Sequence, residues 1–126
     1  MYLIDTNIFL EILLSQEKKE NCKNFLNENI SNIGITDFSL HSIGVIASRN
    51  NLINIFETFI NDVLPNVQII SLEKSSYAKL PQVIKMHNLD FDDAYQFLCA
   101  MENSLKIVTM DKDFERVTSL NEVLFL

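Results

Sequence analysis

The chain has 126 residues, 48% of them apolar, a length that fits one compact domain over residues 1–126 whose core needs neither disulfides nor a structural metal. Its longest uninterrupted apolar run, Phe97 to Met101, is five residues, against the roughly 18 to 20 that cross a bilayer; Met1 to Asp5 also lack the basic stretch of a signal peptide, so no membrane span and a cytoplasmic location are expected. Ten Lys and Arg against 17 Asp and Glu give a net charge of −7, the reverse of the basic footprint of a protein that holds nucleic acid by neutralising phosphates.

Taken in chain order, Tyr2 to Ile4 form a short apolar run ending in Asp5, Thr6 and Asn7, after which Ile8, Phe9, Ile12 and Leu13 recur at helical spacing. A strand leads into a helix. Lys18, Lys19, Asn21, Lys23 and Asn24 lie opposite Cys22, Phe25 and Leu26, the pattern of a second amphipathic helix. Ile33 to Ile35 make a second strand, and Thr36 or Asp37 caps the helix carrying Phe38, Leu40, Ile43, Ile46 and Ala47. Leu52, Phe56, Phe59, Ile60 and Val63 fall on one stripe of a further helix that Pro65 ends. Val67, Ile69 and Ile70 read as a third strand, Ser71 to Asn88 as helical with a kink or break at Pro81. Leu89 to Asn103 is a helix, Ile107 to Thr109 a fourth strand and Val123 to Phe125 a last one. Strands separated by helices predict an α/β sandwich around a mainly parallel sheet, since parallel neighbours need crossovers.

Cys22 and Cys99 are far apart, without ligand spacing, and read as reduced core residues. His41 and His87 form no zinc pattern, and Gly34 and Gly44 form no phosphate loop.

In an open parallel sheet the ligand site lies beyond the carboxyl ends of the strands. Asp5 ends the first strand, Asp111 follows the fourth, and Asp93 sits in the first turn of the helix that feeds the fourth. Carboxylates gathered there stay ionised at neutral pH only when a cation or donors compensate them. Hard oxygen ligands without Cys or His favour Mg²⁺ or Mn²⁺. At about 100° per residue, Asp92, Gln96 and Asn103 share a wet side of the helix, while Asp93 lines up with Phe97 and Ala100. Local roles compete: Asp5 and Asp90 as helix N-caps, Asp93 as the acid of a capping arrangement, Asp111 with Asp113 as an Asx turn. Thr6, Asn7 and Thr109 support the acids by hydrogen bonds, or serve turns and caps of their own.

Three segments, LIDTNIFLE from Leu3 to Glu11, LDFDDAYQF from Leu89 to Phe97 and IVTMDKDF from Ile107 to Phe114, resemble in order and spacing the PIN domain family, the fold of metal-dependent ribonucleases that includes the VapC-type toxins. The resemblance implies a PIN-like three-layer sandwich over 1–126 that hydrolyses RNA phosphodiester bonds with Mg²⁺ or Mn²⁺. It makes Asp5, Asp93 and Asp111 the catalytic metal ligands and Asp113 an auxiliary acid. It also implies a toxin-antitoxin pair, with a cognate antitoxin and a second copy of the chain as partners. The chain departs from the pattern once: the glutamate that family members commonly carry on the third helix falls on Ser42, and His41 and Asp37 lie about 100° and 140° away on the helical wheel. Ser42 could still hold a water at the site, or be a small residue in a packed face. That departure sustains a rival reading, a degenerate PIN-like module that binds a protein or RNA without cutting it. A metal-dependent phosphatase with Asp5 as nucleophile would need an acid where Asn7 stands. Setting aside Asp5, Asp93, Asp111 and Asp113 reduces the net charge from −7 to −3. Lys18, Lys19 and Lys23 then offer one basic patch, or simply a solvated helix face.

Overall fold

The computed structural model describes all residues, 1–126. Five strands, β1 (Tyr2–Ile4), β2 (Ile33–Thr36), β3 (Gln68–Ile70), β4 (Lys106–Thr109) and β5 (Val123–Phe125), form one sheet in the order β3-β2-β1-β4-β5. Every pairing is parallel, so the sheet expected to be mainly parallel is wholly so. Six α-helices fill the crossovers: α1 (Thr6–Leu13) and α2 (Lys19–Asn29), α3 (Asp37–Arg49) and α4 (Ile53–Asp62), then α5 (Leu80–His87) and α6 (Phe91–Glu102).

Alternation along the strands divides the core into two layers, because successive side chains point to opposite faces. Leu3 and Ile107 pack with Leu80, Tyr95, Phe97 and Phe114 under α5 and α6. Their neighbours Ile4 and Val108 pack with Ile8, Phe9, Ile43 and Phe59 under α1 to α4. The result is a three-layer sandwich. At Gly34 a Cβ would lie 2.5 Å from Ile70 Cδ1, so any larger residue there would make the Ile70 side chain shift from its place across β2.

Residues 71–88, expected to be helical with a kink or break at Pro81, form two helical pieces and not one continuous helix. Ser71 to Glu73 are irregular, Lys74–Lys79 form a 3-10 turn, and α5 starts at Leu80 with Pro81 in its first positions. Pro81 therefore starts a helix and breaks none, since a proline there gives up an N–H that has no intrahelical partner and brings its φ preset. Asn88 then closes α5 in the left-handed conformation, φ 52°, a role asparagine fills at modest cost.

Chain order places the site. From β1 the chain builds outward through β2 to β3, then crosses back to set β4 on the other side of β1. The order reverses between β1 and β4, and the crevice beyond their carboxyl ends is where an open α/β sheet takes its ligands.

Candidate metal centre

Asp5 leaves β1 at that crevice, its backbone N–H still donating to Val108 O at 2.9 Å. Although it stands at the N-cap position of α1, its carboxylate caps nothing. Thr109 Oγ1 donates to Oδ2 at 2.6 Å and Gln96 Nε2 donates to Oδ1 at 2.7 Å. Asp5 is only 4% exposed. Burial raises its carboxyl above the usual range, and the hydrogen bonds from Thr109 and Gln96 oppose that rise.

Thr109, fully buried at the end of β4, joins two acids. Its hydroxyl donates to Asp5, accepts from Asp111 N–H at 2.9 Å and accepts from Asn7 Nδ2 at 3.5 Å. Asp111 spends Oδ1 on Asp113 N–H at 2.8 Å, the Asx turn that opens the 3-10 helix Lys112–Val117. That local role leaves its second oxygen available. Asp113 pairs with Arg116 at 3.3 Å, both side chains near half exposure.

Asp93 arrives from α6, whose N-cap Asp90 accepts from Asp93 N–H at 3.3 Å. The capping arrangement therefore exists, and Asp93 is nonetheless 6% exposed and faces other acids. Its carboxyl is pushed up to about 8, first by burial, then by the neighbouring Asp90 carboxyl and the charges of Asp111 and Asp5. Asp92 is exposed, as the helical phase requires.

Carboxylate oxygens of Asp93, Asp111 and Asp113 lie within 4.8 Å of one another. Asp5 stands outside that set, tied to it through Thr109. Of these four acids only Asp113 has a basic partner. The donor set suits a hard divalent cation: it is all oxygen, its only basic neighbour is Arg116 at the half-exposed Asp113, and beside Asp5 the buried Gln96 Oε1 has no hydrogen-bond partner.

The remaining expected residues fall into two groups. Asn7 takes part, donating to Thr109 and accepting from Met110 N–H at 3.4 Å. Thr6 turns to α3, where its hydroxyl donates to Ser39 Oγ at 2.8 Å. Ser42 makes no side-chain hydrogen bond and lines a shallow pocket with Phe38, His41, Val45 and Ile46.

Gln96 was missed, and its assignment to a wet helix side is corrected: it is 2% exposed. α6 is buried on all sides from Asp93 to Ala100, packed between the sheet and α5. The five-residue apolar run beginning at Phe97 was the available signal, since a helix apolar all round is a buried one. Tyr95 was missed as well; its hydroxyl accepts from Leu72 N–H at 3.0 Å and donates to Asp37 Oδ1 at 2.7 Å, bracing the start of α3 against α6.

The sequence model of the PIN domain matches residues 2–120. Compared with curated proteins, the chain has no match. Among solved structures it is similar to a toxin-antitoxin complex from Klebsiella pneumoniae, with 21% identity, a TM-score of 0.76, and coverage of 98% of this chain and 96% of that one. It is similar to VapBC2 from Rickettsia felis, bound to a DNA fragment from its promoter, with 18% identity, a TM-score of 0.76 and coverage of 97% and 96%. FitAcB from Neisseria gonorrhoeae follows, with 18% identity, a TM-score of 0.75 and coverage of 98% and 96%. At these identities the likeness is one of fold.

Proposed function

The chain belongs to the PIN domain family, and from that premise we propose that it is a metal-dependent ribonuclease, the toxin of a toxin-antitoxin pair. The observation that carries the reading is the gathering of Asp93, Asp111 and Asp113, their carboxylate oxygens within 4.8 Å of one another and joined to Asp5 through Thr109, at the reversal point of the sheet. Such a group is matched to a cation, because one divalent ion converts mutual repulsion into shared attraction. Asp5, Asp93 and Asp111 would hold Mg²⁺ or Mn²⁺, with Asp113 at the rim. When bound, the cation supplies Lewis acidity to the phosphate and makes hydroxide accessible at neutral pH. Thr109, Asn7 and Gln96 orient the acids, and the buried floor keeps bulk water from Asp5. The test is cleavage of single-stranded RNA with Mn²⁺. EDTA should abolish it and added Mn²⁺ restore it; no cleavage with any divalent ion overturns the reading.

One observation favours the second reading, a binding module without catalysis: Ser42 makes no hydrogen bond to the acids. Ser42 is half-buried beside an open pocket of about 340 Å³, room enough for a longer side chain to stay solvated. Ser42→Glu is therefore expected to fold normally and, by adding one charged ligand, to strengthen binding of a second Mn²⁺ and raise cleavage at limiting metal. A calorimetric titration and a melt on the same variant check this. A variant destabilised by about 1 to 3 kcal/mol with unchanged stoichiometry would make position 42 a packing site.

For partners the reading takes an antitoxin segment and a second copy of the chain. The α4 stripe is largely used by the core, with Phe59 buried and Phe56, Ile60 and Val63 partly buried against it, while Ile53 and Ile55, off the stripe, are 50% and 43% exposed. Apolar grooves flank α4 on both sides, one against α1 and α2 through Phe9, Leu26 and Phe59, the other against α3 through Leu40, Phe56 and Ile60. Unpartnered apolar grooves beside a helix are what an amphipathic helix or a second copy covers. The expected result is a dimeric solution mass and a small protein co-purifying when the native operon is expressed. A monomer with no companion removes both partners from the proposal.

A further inference from the structure

Gln96 lies one turn after Asp93 on α6, 2% exposed, with its Nε2 donating to Asp5 Oδ1 at 2.7 Å. Thr109 Oγ1 holds the other oxygen of Asp5 from β4 at 2.6 Å, so the carboxylate is gripped at both oxygens by two separate elements. Only the amide nitrogen complements a carboxylate, which fixes the orientation of the Gln96 amide. Its other end, Oε1, is buried and has no partner. Nitrogen and oxygen share one carbon, so that free acceptor also lies beside Asp5. A buried acceptor without a donor costs stability; an apolar side chain of equal length would remove that cost but leave Asp5 Oδ1 without its donor, so the two effects oppose. The amide is therefore placed by its bond to Asp5 and not by packing alone.

We infer that Gln96 is a positioning residue of the metal centre: its Nε2, with Thr109 Oγ1 on the other oxygen, sets the plane of the Asp5 carboxylate and so the direction in which that carboxylate meets a cation. The inference rests on the metal reading proposed above. Outer-shell hydrogen bonds of this kind commonly govern metal affinity by about 10- to 100-fold.

The experiment compares the full chain with Gln96→Met, which keeps length and removes both polar atoms, and with Gln96→Leu as a second packing solution. Each protein is melted without metal and titrated calorimetrically with Mn²⁺. Expected are variants that stay folded without metal, together with a Kd for Mn²⁺ weakened by about tenfold or more. A lower metal-free melting temperature with an unchanged Kd, or loss of folding in both variants, would show that Gln96 serves the core alone and overturns the inference. If the parent itself binds no Mn²⁺, the metal reading fails and takes this inference with it; equal binding by parent and variants refutes only the role of Gln96.

Discussion

Asp93→Asn and Asp5→Asn are each expected to lower kcat for RNA cleavage by more than about 100-fold while the protein stays folded, since even the outer partners of metal ligands commonly matter by about 10- to 100-fold. The two variants keep their fold for different reasons. At position 93 an amide takes the place of the neutral carboxyl that the metal-free chain holds among Asp90, Asp111 and Asp5, so no buried charge is added or lost below about pH 8. At position 5 the new amide must present an oxygen to Thr109, whose hydroxyl accepts from Asp111 N–H and has its proton free only for this neighbour. The new nitrogen then faces Gln96, which can turn its amide over and accept with the Oε1 that is otherwise unpaired. Local hydrogen bonding survives in both cases, but a charged oxygen ligand is gone. Single-turnover cleavage with saturating Mn²⁺, read beside a melting curve, checks the pair. Parent-like cleavage by either variant would remove that residue from the centre.

The positions of Asp5 and Asp111 were legible because a carboxylate one or two residues past an apolar strand has only one sheet edge on which to fall, and both strands contain short runs of Leu, Ile and Val. What Asp5 does there was not legible. A local rule offers the N-cap of α1, yet its oxygens go to Thr109 and Gln96, 104 and 91 residues away, and no periodicity ranks a local acceptor against a distant donor. Gln96 fails for a related reason. A helical wheel assumes one wet side, whereas α6 is enclosed between the sheet and α5, so polarity at position 96 marks a buried polar contact. Pro81 reads in sequence as an interruption because the start of α5 carries no capping side chain to mark it, and the 3-10 turn Lys74–Lys79 runs into the helix without a break in polarity. At Ser42 the phase of α3 was readable, but the distance between that face and α6 is a property of packing.

Without metal, the protein is expected to lose stability as pH rises from about 4 to about 8. The Asp93 carboxyl keeps its proton up to about 8 in the folded chain, because burial and then the carboxylates of Asp90, Asp111 and Asp5 oppose its ionisation. In the unfolded chain the same group releases its proton near about 3.9. Between those values the folded state holds a proton that the unfolded state has lost, so stability is fully present below the unfolded value and declines as pH climbs towards the folded one. Asp5 and Asp92 are raised as well and act in the same direction from the acid end of the window, whereas the lowered Asp90 acts below it. One pH unit of such a difference corresponds to about 1.4 kcal/mol, so even half of the roughly four-unit window is worth about 3 kcal/mol, on the order of 10 °C in melting temperature. Two changes should flatten the profile. Asp93→Asn removes the principal group, leaving the variant more stable than the parent at pH 8 in EDTA. Saturating Mn²⁺ supplies the missing countercharge and adds binding free energy, which should reverse the order of the two proteins at that pH. Melting curves of parent and variant in EDTA and in Mn²⁺, taken at each unit from pH 5 to 8, read all four conditions. A metal-free parent whose melting temperature is flat across this range would mean that Asp93 ionises freely, and the case for a cation at the reversal point of the sheet would lose its electrostatic basis.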